Sequence, residues 1–239
     1  MPFNKLRLIH TSDTHLGDVT GHPQSADALI SVIDAVADNA GDLLLLVGDV
    51  FDNERVSDDV LDSFLTQIAR LETPALVLPG NHDLIHETSV YRRAPFNDAP
   101  KNLFVFKETE GEVLSFPSLG IDFWGRAMSM HTPAFKPLEG MPSPIGTNWL
   151  VAMAHGHFHY DEDRDMRSSP IHPHEVAEAR CHYLALGHWD RHVDVSQGNT
   201  TAVYSGCPLG PIGSPGAGKV TVVDLDPNAG VSYRQVTIN

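Results

Sequence analysis

Short apolar runs alternate with amphipathic segments along the first eighty residues. The apolar run that ends at Val47, just before Asp49, is typical of a strand buried on both faces. The segments between such runs carry apolar side chains at helical spacing, and Ser25 is the predicted N-cap of the first. This pattern predicts strands at Leu6–His10 and Ala75–Leu78 and helices at Ser25–Asn39 and Ser57–Leu71. Repeated β-α units of this kind indicate a parallel sheet.

The rest of the chain is predicted to be rich in strands. They are expected at Leu103–Phe106, Gly111–Phe116, Leu119–Trp124, Trp149–Ala154, Tyr183–Leu186, Thr201–Tyr204, Lys219–Asp224 and Ser232–Ile238. A short helix is predicted at His172–Ala179. Loops are predicted at Thr132–Thr147 and Ser205–Gly218, and a solvated loop or lid at Asp161–Arg167. Because the sequence shows no internal repeat and no interdomain linker, we expect residues 1–239 to form a single domain.

Composition and charge narrow the class of protein. The chain has 239 residues, of which 41% are hydrophobic and 20% charged, as in ordinary globular proteins. No apolar run is long enough to span a bilayer, and a strand follows Met1 too closely for a signal peptide, so we expect a cytoplasmic location and no membrane contact. The two cysteines, Cys181 and Cys207, are expected to be reduced structural thiols. A net charge of −15 is poorly suited to gripping duplex DNA.

Polar side chains are concentrated where the predicted strands end. They are Asp13, His15, Asp49, Asn81, His82, His155 and His188. Mixed Asp, Asn and His donors suit Mn, Fe or Zn better than Ca or thiolate-bound Zn. A central carboxylate with ligands on both sides suits two bridged ions, which can clamp the attacking and leaving oxygens of a phosphoryl displacement. Any one of these residues alone is better explained as a turn residue, but the whole set at successive strand ends is not.

Taken in order, these residues resemble the signature of the calcineurin-like metallophosphoesterases. The matching motifs are Asp13-x-His15, Gly48-Asp49-x-x-Asp52, Gly80-Asn81-His82-Asp83, the isolated His155 and Gly187-His188. Two further stretches, Tyr183–His188 and Tyr204–Leu209, are similar to the nuclease subunit of SbcCD-type DNA-repair exonucleases within that superfamily.

The resemblance implies an α/β fold, namely a four-layer α-β-β-α sandwich with two mixed β-sheets and the site at one end. It also implies two metal ions whose ligand sets share one carboxylate. These sets are Asp13, His15, Asp49 and a further histidine for the first ion, and Asp49, Asn81, His155 and His188 for the second. The unligated His82 would face the leaving group as an acid or a charge stabiliser, with Asp83 orienting it.

The chain departs from the family pattern in two ways. Where the family has Gly-His-x-His, this chain has Asp190 in the last position, so either Asp190 or the nearby His192 is expected to complete the first metal site. An aspartate ligand there makes the site harder, which favours Mn or Fe over Zn. The exonucleases also carry a capping domain and a partner-binding tail, which we do not expect in a chain that ends at Asn239.

These observations predict a metal-dependent hydrolase of phosphate esters, a phosphodiesterase with a dinuclear metal centre and a metal-bound hydroxide as nucleophile. We expect two divalent ions, with Mn first and Fe or Zn as alternatives. The expected substrate is a small phosphodiester, with Arg126 and His157 as candidate contacts and surface positions as the alternative for both. A DNA exonuclease that acts with a partner and a non-catalytic binding module stay open as alternatives. The sequence indicates no oligomeric state.

Overall fold

The computed structural model describes residues 4–144, 148–164, 167–211 and 218–238. Its elements are, in chain order, β1 (Leu6–Thr11), α1 (Ser25–Asp38), β2 (Leu43–Val47), α2 (Asp58–Ile68), β3 (Ala75–Leu78), β4 (Leu103–Val105), β5 (Glu112–Phe116), β6 (Ile121–Gly125), β7 (Trp149–His155), β8 (His157–Phe158), β9 (Pro170–Ile171), α3 (Pro173–Glu178), β10 (Tyr183–Gly187), β11 (Val193–Asp194), β12 (Thr201–Tyr204), β13 (Lys219–Asp226) and β14 (Gly230–Thr237).

Two six-stranded mixed sheets form the centre of the molecule. The first has the order β14-β13-β1-β2-β3-β4, with β1 to β4 parallel and β13 and β14 antiparallel. The second has the order β11-β12-β10-β7-β6-β5, with its four central strands parallel and both edge strands antiparallel. The strand pair β8–β9 forms a separate two-stranded ribbon.

The sheets face each other, and their strands alternate between two apolar layers. On β7, Val151 and Met153 pack in the core between the sheets, whereas Leu150, Ala152 and Ala154 belong to a second cluster on the outer face. This alternation is the two-residue period of a strand that is buried on both faces. The continuous apolar run at Leu43–Val47 is therefore buried along its whole length, as the sequence pattern predicts.

Helices cover the outer faces of the sandwich unequally. The helix α1 packs on β1 and on α2, and its buried face includes Leu29, Val32 and Ile33. On the outer face of the second sheet, the described residues contribute only the six-residue helix α3, whose Val176 is buried in the outer cluster. The predicted four-layer α/β sandwich with two mixed sheets is confirmed, although one helical layer is thin.

Local details differ from the predictions where capping and short segments decide the structure. The first helix begins at Ser25 itself, and its N-cap is Gln24 without a side-chain hydrogen bond, so the prediction of Ser25 as the cap was wrong. Two 3-10 helices, Val90–Arg92 and Ala94–Asp98, were not predicted. Parts of the three predicted loops, residues 145–147, 165–166 and 212–217, lie outside the described residues, as do residues 1–3 and 239. None of the described helices combines the length and hydropathy needed to cross a bilayer.

The buried ring of His10 makes the stability of the fold dependent on pH. His10 lies on β1, and its Nδ1 is 2.8 Å from the hydroxyl of Tyr183. Burial, helped by charge on His192, lowers the pKa of His10 to about 3. The unfolded chain takes up this proton near pH ~6.5, whereas the folded chain does not. Stability is therefore lost as the pH falls from about 6.5 towards 3.

We expect His10 to contribute about 1.4 kcal/mol to the free energy of unfolding per pH unit across that range. The variant His10→Asn keeps a polar partner for Tyr183 but does not titrate, so its acid slope should be shallower by this amount. Urea denaturation at a series of pH values measures the slope. His174→Asn, which changes an exposed histidine of α3, is the matched control. Equal acid slopes in wild type and His10→Asn would contradict the assignment.

Candidate metal centre

Five parallel strands deliver the predicted site residues to one edge of the sandwich. Both sheets contribute to this edge, because parallel strands that run the same way end on the same side. The residues and the strands they follow or end are Asp13 and His15 after β1, Asp49 after β2, Asn81 and His82 after β3, His155 at the end of β7, and His188 after β10.

The backbone is strained at four of these positions. Asp13, His15, Asp49 and His188 have φ angles of 54°, 45°, 51° and 109°. Among the described residues only Ala40 and Ser169 are other non-glycine positions with positive φ. Such conformations cost free energy and persist where the surrounding structure enforces them, which is common at functional sites.

Two glycines allow the loops and sheets to approach closely at this edge. A Cβ atom at Gly187 would lie 1.8 Å from the carbonyl oxygen of Val47, so this contact between the two sheets requires glycine. A Cβ at Gly80 would lie 2.3 Å from Oδ1 of Asp49. The glycines of the motifs therefore serve packing around Asp49.

Two groups of potential metal ligands share the carboxylate of Asp49. One group is formed by Asp13, His15 and Asp49, and the other by Asp49, His155 and His188. Within each group the donor atoms lie within 4.8 Å of one another. Asn81 joins the second group, since its Oδ1 accepts hydrogen bonds from Nε2 of His155 at 3.1 Å and from Nδ1 of His188 at 2.9 Å. The structure thus brings together the two ligand sets that the resemblance implied.

Hydrogen bonds fix the orientation of these potential ligands. Nδ1 of His155 donates to the carbonyl oxygen of Val47 at 2.9 Å, which turns Nε2 towards Asp49 at 3.2 Å. Histidine ligands of metals commonly donate their second nitrogen to a carbonyl in this way. The amide of His188 donates to Oδ2 of Asp13 at 3.0 Å, so the two sides of the site are also connected directly.

Buried charges at the site perturb one another strongly. Burial raises the pKa of Asp13 to about 7, although the charge of His155 partly offsets this. Burial also disfavours charge on Asp49 and His155, but their mutual attraction outweighs it. The pKa of Asp49 is therefore well below its usual range, and that of His155 rises to about 9. Burial, together with the charge of His155, lowers the pKa of His188 to about 3.

The residues fit a pair of divalent cations. Asp13 and Asp49 are 1% and 2% exposed, and buried carboxylates this close are favoured by a cation. Nδ1 of His15 is buried and has no hydrogen-bond partner among the described residues. Oxygen donors from Asp and Asn and nitrogen donors from His suit Mn, Fe or Zn.

A third cluster places His82 beside the first group. Nδ1 of His82 donates to the carbonyl oxygen of Asp52 at 2.6 Å and lies 4.0 Å from its Oδ1. The side chain of His82 is 43% exposed, and its ring meets that of His15 edge to face at 4.7 Å. Because Nδ1 is already used, Nε2 is the nitrogen free to meet a substrate. The orienting residue is thus Asp52, which the motif contained but to which sequence reasoning gave no role.

The orienting role expected of Asp83 was wrong, because its carboxylate is used elsewhere. It is fully buried and accepts hydrogen bonds from four backbone amides and one phenol. The donors are the amides of Gly80 (2.7 Å), Asp49 (3.2 Å), Val50 (2.8 Å) and Phe51 (3.2 Å) and the hydroxyl of Tyr91 (2.6 Å). Asp83 therefore joins the loop after β2 to the loop after β3.

The remaining candidates are placed differently from one another. The carboxylate of Asp190 joins neither ligand group among the described residues, and Nδ1 of His192 lies 3.5 Å from Oγ1 of Thr221 on β13. A ligand role for Asp190 stays a prediction. His157 does lie at the site, with its ring 5.9 Å from that of His188.

Arg126 is committed to other contacts. Its guanidinium donates to the carbonyl oxygens of Thr109 and Lys136 at 2.7 and 2.8 Å and to Glu139 at 2.7 Å. It also lies 4.9 Å above the ring of Phe135. The expected contact of Arg126 with substrate is therefore not supported by the structure, because the fork of donors is already satisfied.

The fold and the site define a metallophosphoesterase. The family model of the calcineurin-like phosphoesterases matches residues 6–189, a range that contains both ligand groups and His82. This chain belongs to that family.

Individual relatives agree with this family. The chain is 25% identical to the SbcCD nuclease subunit of Bacillus subtilis (strain 168) over an alignment that covers 98% of this chain and 70% of the relative. An archaeal phosphodiesterase has a similar fold, with a TM-score of 0.54 and 13% identity over 97% of this chain and 99% of that one. A dimetal phosphatase from Danio rerio gives a TM-score of 0.56 at 11% identity, over 98% of this chain and 99% of that one.

Removing the charge of Asp83 should destabilise the protein more than removing one of its donors. In Asp83→Asn the carboxylate loses its charge-assisted hydrogen bonds, and an NH₂ group faces backbone amides, so we expect a loss of about 3 kcal/mol in the free energy of unfolding. Tyr91→Phe removes a single hydrogen bond, and about 1 kcal/mol is expected. Urea denaturation measures both values. Equal losses in the two variants would show that Asp83 does not organise the loops.

Proposed function

We propose that this chain is a metal-dependent phosphodiesterase that binds two divalent ions bridged by Asp49. The observation that carries the proposal is the membership of Asp49 in two separate groups of potential ligands. Two ions in such an arrangement polarise the phosphate and supply an activated water at neutral pH. The similarity to a nuclease subunit supports diester rather than monoester substrates. Mn is the first candidate metal, with Fe or Zn as alternatives.

The chain's own residues would orient the substrate and move one proton. The free Nε2 of His82 is suited to protonate the leaving oxygen, because Nδ1 is tied to the carbonyl of Asp52. His157, beside His188, is suited to contact the substrate. The strained loops hold these groups before the substrate arrives, so little reorganisation accompanies binding.

A partner-assisted DNA nuclease is the second candidate function. It is favoured by the 25% identity to the SbcCD nuclease subunit of Bacillus subtilis, which extends over 98% of this chain. The net charge of −15 opposes tight binding of duplex DNA by this chain alone. Under this alternative the grip on the duplex would come from a partner.

Metal and substrate assays test the proposal together. We expect hydrolysis of bis(4-nitrophenyl) phosphate that is lost on chelation and restored by Mn, Fe or Zn. Asp49→Asn should lose both the activity and the bound metal, because one carboxylate serves both ligand groups. Metal analysis after dialysis measures the content. Asp190→Asn is the matched control and should keep its metal, since Asp190 lies outside both groups.

Several outcomes would change these assignments. Full activity in Asp49→Asn would exclude the bridged pair. Metal loss in Asp190→Asn would identify Asp190 as a ligand, as the sequence suggested. Tight, salt-sensitive duplex binding by the isolated chain would favour the nuclease.

His82 should act in turnover without holding metal. We expect His82→Asn to retain its metal and to lose activity by roughly 10²- to 10⁴-fold. The loss should be larger for an alkyl leaving group than for 4-nitrophenolate, because 4-nitrophenolate departs without needing a proton. Steady-state kinetics with methyl 4-nitrophenyl phosphate and dimethyl phosphate compare the two. An equal loss for both would indicate a charge stabiliser instead of an acid.

A further inference from the structure

The indole of Trp189 is held rigidly beside the metal centre. Trp189 directly follows His188, and one face of its ring stacks on Tyr204, with the ring centroids 4.5 Å apart and the planes at 16°. Nε1 of Trp189 donates to Nδ1 of His157 at 3.2 Å. Tyr204 is itself buried, and its hydroxyl donates to the carbonyl oxygen of Gly156 at 2.7 Å. The plane of the indole is therefore fixed from one side and from its edge.

An open cavity lies against the same indole. It has a volume of about 550 Å³, and the described residues that line it are His188, Trp189, Asp190, Arg191, Val193 and Pro211. Because Tyr204 covers one face of the half-buried Trp189, the opposite face is the one available to this cavity. A flat apolar surface thus adjoins His188, one of the potential metal ligands.

The distances suit a ligand that spans the cavity and the metal centre. The ring of His157 lies 5.4 Å from that of Trp189 and 5.9 Å from that of His188. Only one side chain thus separates the indole from the metal centre. A phosphate at the ions could carry an ester group that reaches the indole directly.

The charges around the cavity favour a neutral group at that position. Asp190 and Arg191 are its only carboxylate and its only Lys or Arg side chain among the described lining residues, so their charges offset each other. A second phosphate would lie near Asp190, which disfavours a longer nucleic acid strand. A planar aromatic group stacked on tryptophan requires no charge.

We propose that this cavity binds a planar aromatic ester group of the diester substrate, stacked on Trp189 while the phosphate lies at the metal centre. This proposal rests on the proposed function. Its substrate class is a phosphodiester in which one ester group is a nucleoside or an aryl group. Trp189 is then a specificity-determining residue, and the ester group stacked on it is the one retained when the other leaves.

Diesters with one leaving group and different retained groups test the proposal. The substrates are methyl, phenyl and thymidine 5′-esters of 4-nitrophenyl phosphate, and the readout is the ratio of kcat/KM for each aromatic ester to that for the methyl ester. We expect wild type to prefer the aromatic esters and Trp189→Leu to lower the ratio about tenfold. Trp189→Phe keeps a ring and should retain most of it. Phe104→Leu, at a half-buried ring on the edge strand β4, is the control.

Binding without turnover gives a second measurement that separates this proposal from the proposed function. Wild type and both Trp189 variants are titrated with phenylphosphonate, methylphosphonate and thymidine 5′-monophosphate by calorimetry in the presence of Mn. Tighter binding of the two aromatic ligands than of methylphosphonate, lost in Trp189→Leu, is expected. This result would support the cavity assignment even if no diester were hydrolysed, in which case only the proposed function would fail.

The outcomes are distinct. A wild type that shows no preference for aromatic groups in either assay overturns the proposal, whether or not Trp189→Leu folds. A folded Trp189→Leu with ratios within twofold of wild type also overturns it, since thermal melts would then assign Trp189 to packing alone. A preference for the thymidine ester over the phenyl ester identifies a nucleoside as the natural group, and equal preference identifies a planar ring as sufficient.

Discussion

The buried carboxylate of Asp83 determines the shape of the loops on which the metal centre depends. Four backbone amides converge on it, from Gly80 on one loop and from Asp49, Val50 and Phe51 on the other. A buried amide without an acceptor is costly, so these loops adopt their conformation only together. The positive φ of Asp49 is enforced by the same hydrogen bonds. Asp83 thus stabilises the position of the carboxylate that both ligand groups share, without contacting His82.

The site concentrates features that oppose stability, and the sandwich compensates for them. Buried acids, strained backbone and desolvated histidines lie within a few residues of the strand ends. Beneath them, strands such as β2 and β7 are apolar on both faces and are completely buried. The contact of Gly187 with Val47 brings the two sheets together directly under the ligands. A rigid core of this kind holds unfavourable groups where a cation would stabilise them.

The surroundings of the site distinguish its two sides. On one side His82 is exposed and held by Asp52, which suits contact with a departing group. On the other side Trp189 is held by Tyr204 and His157 beside an open cavity. The acidic charge of the whole chain and the balanced charges of this cavity both favour a small substrate with few phosphates over a long duplex.

The sequence by itself determined the strands, their exits and the order of the polar residues. Apolar runs and helical spacing are local, so β3 at Ala75–Leu78 and the buried face of α1 follow from them directly. The set that begins with Asp13 and ends with His188 could be selected because each member stands at a strand end. Only the tertiary structure decided which partner each side chain has: Asp52 instead of Asp83 for His82, and backbone carbonyls instead of substrate for Arg126. The stacking of Trp189 on Tyr204 belongs to the same category. These contacts join loops far apart along the chain, and they depend on how two sheets pack, which no periodicity in the sequence records.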